Sequence, residues 1–136
     1  MKREIIFRGK RLDNGKWEYG DLVHDDIGGM YVFPNDAENL YIEYRVDPDT
    51  VGQYTGLTDK NGKRIFEGDI LKVYYYGKSK IFGVVKFDES RFFIDDDFMR
   101  DDIKAKAPMT EMFSRYEFEV VGNVHDNPEL WKGDMK

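Results

Sequence analysis

The segment from Val51 to Leu71 carries glycine at 56, 62 and 68 among short apolar groups, with Asn61-Gly62 between two of them. Asn-Gly is the strongest short-range hairpin signal, because a tight two-residue turn wants positive φ at both central positions. Gly68-Asp69 then releases the chain into Ile70-Leu71-Lys72-Val73-Tyr74, which reads as the first full strand of a second half. The segment is therefore a joint between two β units, 1–57 and 58–136, and none of its residues is an obvious chemical centre. With 136 residues the chain is one ordinary domain or two small ones sharing a core.

Composition supports the β reading. Aromatics make up 15% of the chain and alanine occurs only at 37, 105 and 107, so the apolar mass suits half-buried pleated surfaces better than helices. The absence of cysteine excludes disulfides, thiolate zinc sites and cysteine nucleophiles. It fits a reducing cytoplasm, and the N-terminal residues show no signal-peptide core, so a soluble cytoplasmic protein is expected. Net charge is −6, unevenly spread. Residues 1–57 hold 7 basic and 11 acidic side chains, 58–94 hold 8 and 5, and 95–136 hold 6 and 11. Only the middle third has the sign to attract a polyanion.

Along the chain, Glu4–Arg8 and Lys16–Val23 read as a hairpin turning through Asp13-Asn14-Gly15, since Trp17 and Tyr19 alternate with Lys16 and Glu18. The order Asn14-Gly15-Lys16 then Gly20-Asp21 is echoed by Asn61-Gly62-Lys63 then Gly68-Asp69. Short strands are predicted at Met30–Phe33 and Leu40–Val46. The second half predicts strands at Ile70–Tyr76, Ile81–Phe87, Arg91–Ile94 and Tyr116–Gly122, with Gly77–Lys80 a polar turn and Gly83 marking a bulge. Met109–Ser114 reads as one helical turn. Asn127-Pro128 has the residues of an N-cap and a first helical position, so a short helix should begin there.

Several of these segments together carry a resemblance. Phe7-Arg8, Val51–Leu57, Asp59–Lys63, Glu67–Ile70, Gly83–Phe87 and Val121–Leu130, in that order, resemble the YopX family of phage and prophage proteins across essentially the whole chain. The resemblance implies a β-rich fold whose C-terminal part is an SH3-type barrel, with little helix, and a phage context in a bacterial host. It brings no established activity and no catalytic or ligand residues.

No motif points to catalysis. Gly56–Arg64 is one residue too long for a phosphate loop, Arg64 replaces the hydroxyl, and no helix follows. Asp95-Asp96-Asp97 with Asp101 and Asp102 could gather a hard cation or mimic nucleic-acid charge, but Arg100 stands where a calcium loop needs glycine. The ordinary reading is a solvated, self-repelling loop. His24 and His125 are the only histidines, and none of Ser79, Ser90 and Ser114 sits in a nucleophile elbow. No enzyme, metal or cofactor is expected. The surface candidate is Lys72, Lys78, Lys80, Lys86 and Arg91, interleaved with Tyr74, Tyr76 and Phe82, which together could track a single strand while its bases stack. Lys72, Tyr74 and Tyr76 fall on one strand face, so part of that alternation reads as core with lysine at its rim. The expectation is a phage accessory protein that contacts an unknown protein partner of host or phage, with homo-oligomers through exposed strand edges as a further possibility. Nucleic-acid binding by the 72–91 band is the alternative.

Overall fold

The structure, a computed structural model, describes residues 3–34, 42–88, 90–95 and 109–132. The chain is mainly β, with two antiparallel sheets, and divides into two compact units, Met1–Gly56 and Leu57–Lys136.

In the first unit β1 (Phe7–Lys10), β2 (Trp17–His24) and β3 (Met30–Pro34) form a meander, followed by β4 (Tyr44–Val46). The strand predicted from Leu40 is thus shorter, because Ile42 and Glu43 are not in a strand and Leu40 and Tyr41 lie outside the described residues. A single 3-10 turn, Pro48–Thr50, leads into β5 (Gly52–Thr58), which carries the chain out of this unit toward β6 (Arg64–Phe66). The strand order is β4-β3-β2-β1-β5-β6. Beyond that order, β4 comes back to the end of β1. Arg11 bridges Val46, the Leu12 amide donates to Arg45 O at 3.1 Å, and the Asp47 amide donates to Lys10 O at 2.8 Å. The first four strands therefore close on themselves around fully buried Val32 and Val46. Gly9 permits the closure, since a Cβ there would lie 2.8 Å from the Val46 side chain.

In the second unit β7 (Asp69–Tyr75), β8 (Lys78–Asp88), β9 (Arg91–Asp95) and β10 (Glu117–Asn123) form a sheet in the order β10-β7-β8-β9. These are the four strands expected from the sequence. Helix α1 (Met109–Phe113) precedes β10 and α2 (Pro128–Lys132) follows it. A register shift in the β7–β8 ladder, Leu71 opposite Gly83 but Lys72 opposite Ile81, is the bulge that Gly83 announced. A Cβ on Gly83 would stand 2.3 Å from the Asp95 carbonyl oxygen.

Both faces of this sheet bury apolar side chains. Leu71, Val73, Val85 and Phe118 gather with Ile65 and Met109 on one, and Ile70 and Val84 gather with Ile81, Val124 and Leu130 on the other. On β7, Leu71 and Val73 face the first of these clusters, and Lys72 and Tyr74 lie on the other face, Lys72 opposite Ile81 of the second cluster. Helix α2 starts at Pro128 as expected, but Asn127 does not cap it with its side chain. Its Oδ1 instead accepts from the Asn123 amide at 3.2 Å, back toward β10.

Candidate functional site

The glycine-rich joint resolves into two buried aspartates, and both are built into turns. Asp59, 7% exposed, accepts from the amides of Asn61 and Lys63 through Oδ1, each at 2.9 Å, and from Val120 through Oδ2 at 3.0 Å. Its own amide donates to Lys63 O at 2.8 Å, and the Gly62 amide donates to Asp59 O at 3.0 Å. Of the Asn61-Gly62 pair only Gly62 has positive φ, at 83°. The expected two-residue turn is thus a wider loop, because the carboxylate organises the amides that a tight turn would have paired. Burial pushes the Asp59 carboxyl up, and the Val120, Lys63 and Asn61 amides outweigh it and hold the group below the ordinary aspartate value. Asp69, 1% exposed, accepts from the Phe66 amide at 2.8 Å. These two carboxylates serve as hydrogen-bond acceptors for the backbone.

The five basic residues of the 72–91 band divide between the two faces of the second sheet. Cross-strand partners share a face. Lys80 pairs with Val73 and Lys78 with Tyr75, on the side of Leu71 and Val85. Lys72 pairs with Ile81 and Glu119, Lys86 with Phe93, and Arg91 with Asp88, on the opposite side. Lys86 also forms an ion pair with Asp95. The band therefore has Lys72, Lys86 and Arg91 on one face, spread along the sheet with carboxylates among them, and Lys78 and Lys80 on the other.

A groove of about 530 Å³ opens where β10 stops keeping company with β7, and it is lined by Tyr74, Tyr76, Gly77, Phe113, Ser114, Arg115, Tyr116 and Glu117. The last cross-strand pair is Glu117 with Tyr74. Beyond it β7 runs into the β7–β8 turn, and the chain before β10 folds back into α1. The predicted strand through Tyr76 ends one residue earlier, and the polar turn expected at Gly77–Lys80 is instead Tyr76-Gly77, both with positive φ, 47° and 74°. This is the two-residue hairpin geometry that Asn61-Gly62 was expected to supply. A bulky residue at positive φ is a conformational outlier, yet the Tyr76 ring is 96% exposed.

Behind it Tyr74 is firmly held. Its hydroxyl donates to Glu119 Oε1 at 2.5 Å, and Lys60 Nζ sits 3.9 Å from its ring centroid. The hydrogen bond to Glu119, then burial, push the phenol up, so it stays protonated and donating through the neutral range. Phe113 is anchored from below by stacking on Phe118, with centroids 4.6 Å apart. Tyr116 is 38% exposed. The groove thus lies at the end of the sheet, with Tyr74 on one face, Phe113 packed against Phe118 on the other, and Tyr76 at the tip. Sequence reasoning passed over Phe113, Arg115, Tyr116 and Glu117. The signal present was the run Tyr74-Tyr75-Tyr76 ending on a glycine, which puts an aromatic at a hairpin tip.

The remaining candidates are ordinary. His24 is exposed at the end of β2. His125 lies in the turn after β10, where Asn123 Oδ1 accepts from the amides of His125 and Asp126 at 3.0 and 2.9 Å. Asp95 ends β9, while Asp96, Asp97, Asp101 and Asp102 fall outside the described residues. Among the described residues no group of three or more potential ligands could hold a metal ion, and no helix is long and apolar enough to cross a membrane.

A family model described as YopX protein matches residues 6–132. The chain belongs to the YopX family. A solved structure, protein EF1440 from Enterococcus faecalis, is similar at 24% identity with a TM-score of 0.56, covering 95% of this chain and 99% of that one. That likeness is one of fold. None of the curated proteins matches. In this YopX chain the segments that carried the resemblance fall on β1 and β5 in the first sheet and on the Asp59 loop, the Asp69 turn, the Gly83 bulge and the Asn123 turn. The aromatic groove lies outside them.

Proposed function

We propose that this YopX chain is a non-enzymatic protein-interaction module, and that the groove between the β7–β8 turn and the α1–β10 corner is its contact surface. On this reading it is a phage or prophage accessory protein acting in the bacterial cytoplasm, as the family resemblance implies. The observation that carries the proposal is Tyr76. An L-residue in the left-handed region costs about 1–2 kcal/mol, and Tyr76 adopts it at a tip where the residue is 96% exposed. Strain of this kind belongs to sites whose use compensates it. A ring held at a hairpin tip is suited to a protein–protein anchor, because Tyr buries a large area with few rotatable bonds. The groove's volume is also within the range of about 300–1,000 Å³ usual for binding sites.

A protein partner is favoured over a nucleic acid. Glu117 on the groove wall opposes a phosphate backbone, and the basic band is split between two faces with Lys86 engaged by Asp95. The test is a photo-cross-linking amino acid placed at Tyr76 and, as a control, at Tyr19, which is 46% exposed in the other unit. Expected are discrete higher-mass protein adducts from position 76 in the producing cell and none from position 19. Absence of adducts at 76, or equal adducts at both positions, overturns the proposal.

A further inference from the structure

We infer that Asn14-Gly15 is a self-modification site, at which Asn14 loses its side-chain amide to become aspartate or isoaspartate, while the same pair at Asn61-Gly62 is held unreactive by β10. The chemistry needs no partner but water. The Gly15 nitrogen attacks Asn14 Cγ and gives up its proton, the Cγ–Nδ2 bond breaks, and Nδ2 leaves with that proton as ammonia. The cyclic imide that remains adds water and opens at either of its two C–N bonds, so the chain gains a negative charge. Glycine after asparagine favours the attack because no Cβ crowds the approach.

Both pairs are exposed, and both glycines have positive φ, 72° and 83°. The attacking nitrogens are also alike, since the Gly15 amide donates to Arg11 O and the Gly62 amide to Asp59 O, each at 3.0 Å. The asparagine side chains differ. Asn14 Oδ1 accepts from the Lys16 amide at 3.0 Å. That bond closes a ring through the Gly15 nitrogen, which keeps Cγ beside it, and it aims an N–H at the oxygen where charge collects during attack. At the second pair the corresponding amide, that of Lys63, is taken by Asp59 Oδ1 at 2.9 Å. Asn61 Nδ2 donates instead to Glu119 Oε2 at 3.3 Å, so its carboxamide is turned across to β10. Conversion at Asn14 bears on the fold, because isoaspartate lengthens the main chain by one carbon between Arg11 and Lys16. The Arg11 amide donates to Lys16 O at 2.9 Å, next to the bridge from Arg11 to Val46 that closes the first unit.

Peptide mapping by mass spectrometry of the full chain, incubated at neutral pH, reads both sites in one sample. Asn14 should convert at least about tenfold faster than Asn61 while the chain is folded. In urea neither side chain keeps its partner and both pairs read Asn-Gly-Lys, so the two rates should come within about threefold of each other. Glu119→Ala removes the acceptor of Asn61 and should speed conversion there by at least about threefold, with Asn14 unchanged. Equal rates in the folded chain overturn the inference, and so does a faster Asn61. A difference that persists undiminished in urea overturns it too, because its cause then lies in the neighbouring residues and not in the fold. An Asn61 rate unmoved by Glu119→Ala overturns the protection by β10.

Discussion

Two stretches of this chain spell nearly the same words and are used in opposite ways. Asn14-Gly15-Lys16 then Gly20-Asp21 belongs to the first hairpin, and Asn61-Gly62-Lys63 then Gly68-Asp69 to the joint. In the first, Asn14 accepts from the Lys16 amide two residues away, Gly20 sits mid-strand where a Cβ would stand 2.0 Å from Phe33 O, and Asp21 faces water. In the second, Gly68 takes a turn at φ 89°, its carbonyl oxygen receives the Val124 amide at 2.9 Å, and Asp69 is sealed inside. The residue two before Asn61 is Asp59, whose carboxylate reaches Val120. The matching position before Asn14 is Leu12, 55% exposed, which has no such reach. The same local turn chemistry becomes a long-range tie only where an acid precedes it and another strand supplies amides.

That contrast is open to measurement. Asp69→Ala should cost about 3 kcal/mol in denaturant unfolding, because it strands a buried Phe66 amide. Asp59→Ala should cost about 2 kcal/mol. If either costs no more than Asp21→Ala, expected below about 0.5 kcal/mol, the contrast is broken. Asp59→Asn sharpens it by pH. The folded carboxyl lies below its unfolded value, so its stabilisation is complete above about pH 4 and disappears as pH falls through the folded pKa. The stability gap between the natural chain and Asp59→Asn should therefore narrow on acidification below about pH 4. A gap independent of pH would mean the carboxylate charge is not what holds the amides. The smallest effect is expected at the groove, where Tyr76→Asn should raise stability by about 0.5–1 kcal/mol by relieving the left-handed strain.

Much of the second sheet was legible because β7, β8, β9 and β10 are bounded by turn residues and rich in β formers. The faces were not. Apolar clusters lie on both sides of that sheet, so alternation does not separate core from rim, and the bulge at Phe82 inverts the parity of everything before it in β8. The groove was illegible for a different reason. Its wall comes from the α1–β10 corner and its tip from the β7–β8 turn, some forty residues apart in sequence, and only pairing brings Tyr74 beside Glu117. Tyr76 was absorbed into a strand because nothing in the letters Tyr-Tyr-Tyr marks where pleating ends. The first unit's closure was hidden as well, since a single bridge between Arg11 and Val46 leaves no periodic trace.

The reach of Asp59 to Val120 spans 61 positions, and synthesis runs from one to the other. While the ribosome is still making the strands between them, that carboxylate has no third amide to accept from and the loop around it stays unlatched. Completion of the second unit therefore waits for its last strand to emerge, and nascent chains halted before residue 120 should be cut by protease at the exposed Lys60–Arg64 loop faster than the finished protein, in which Asp59 and Val120 latch it.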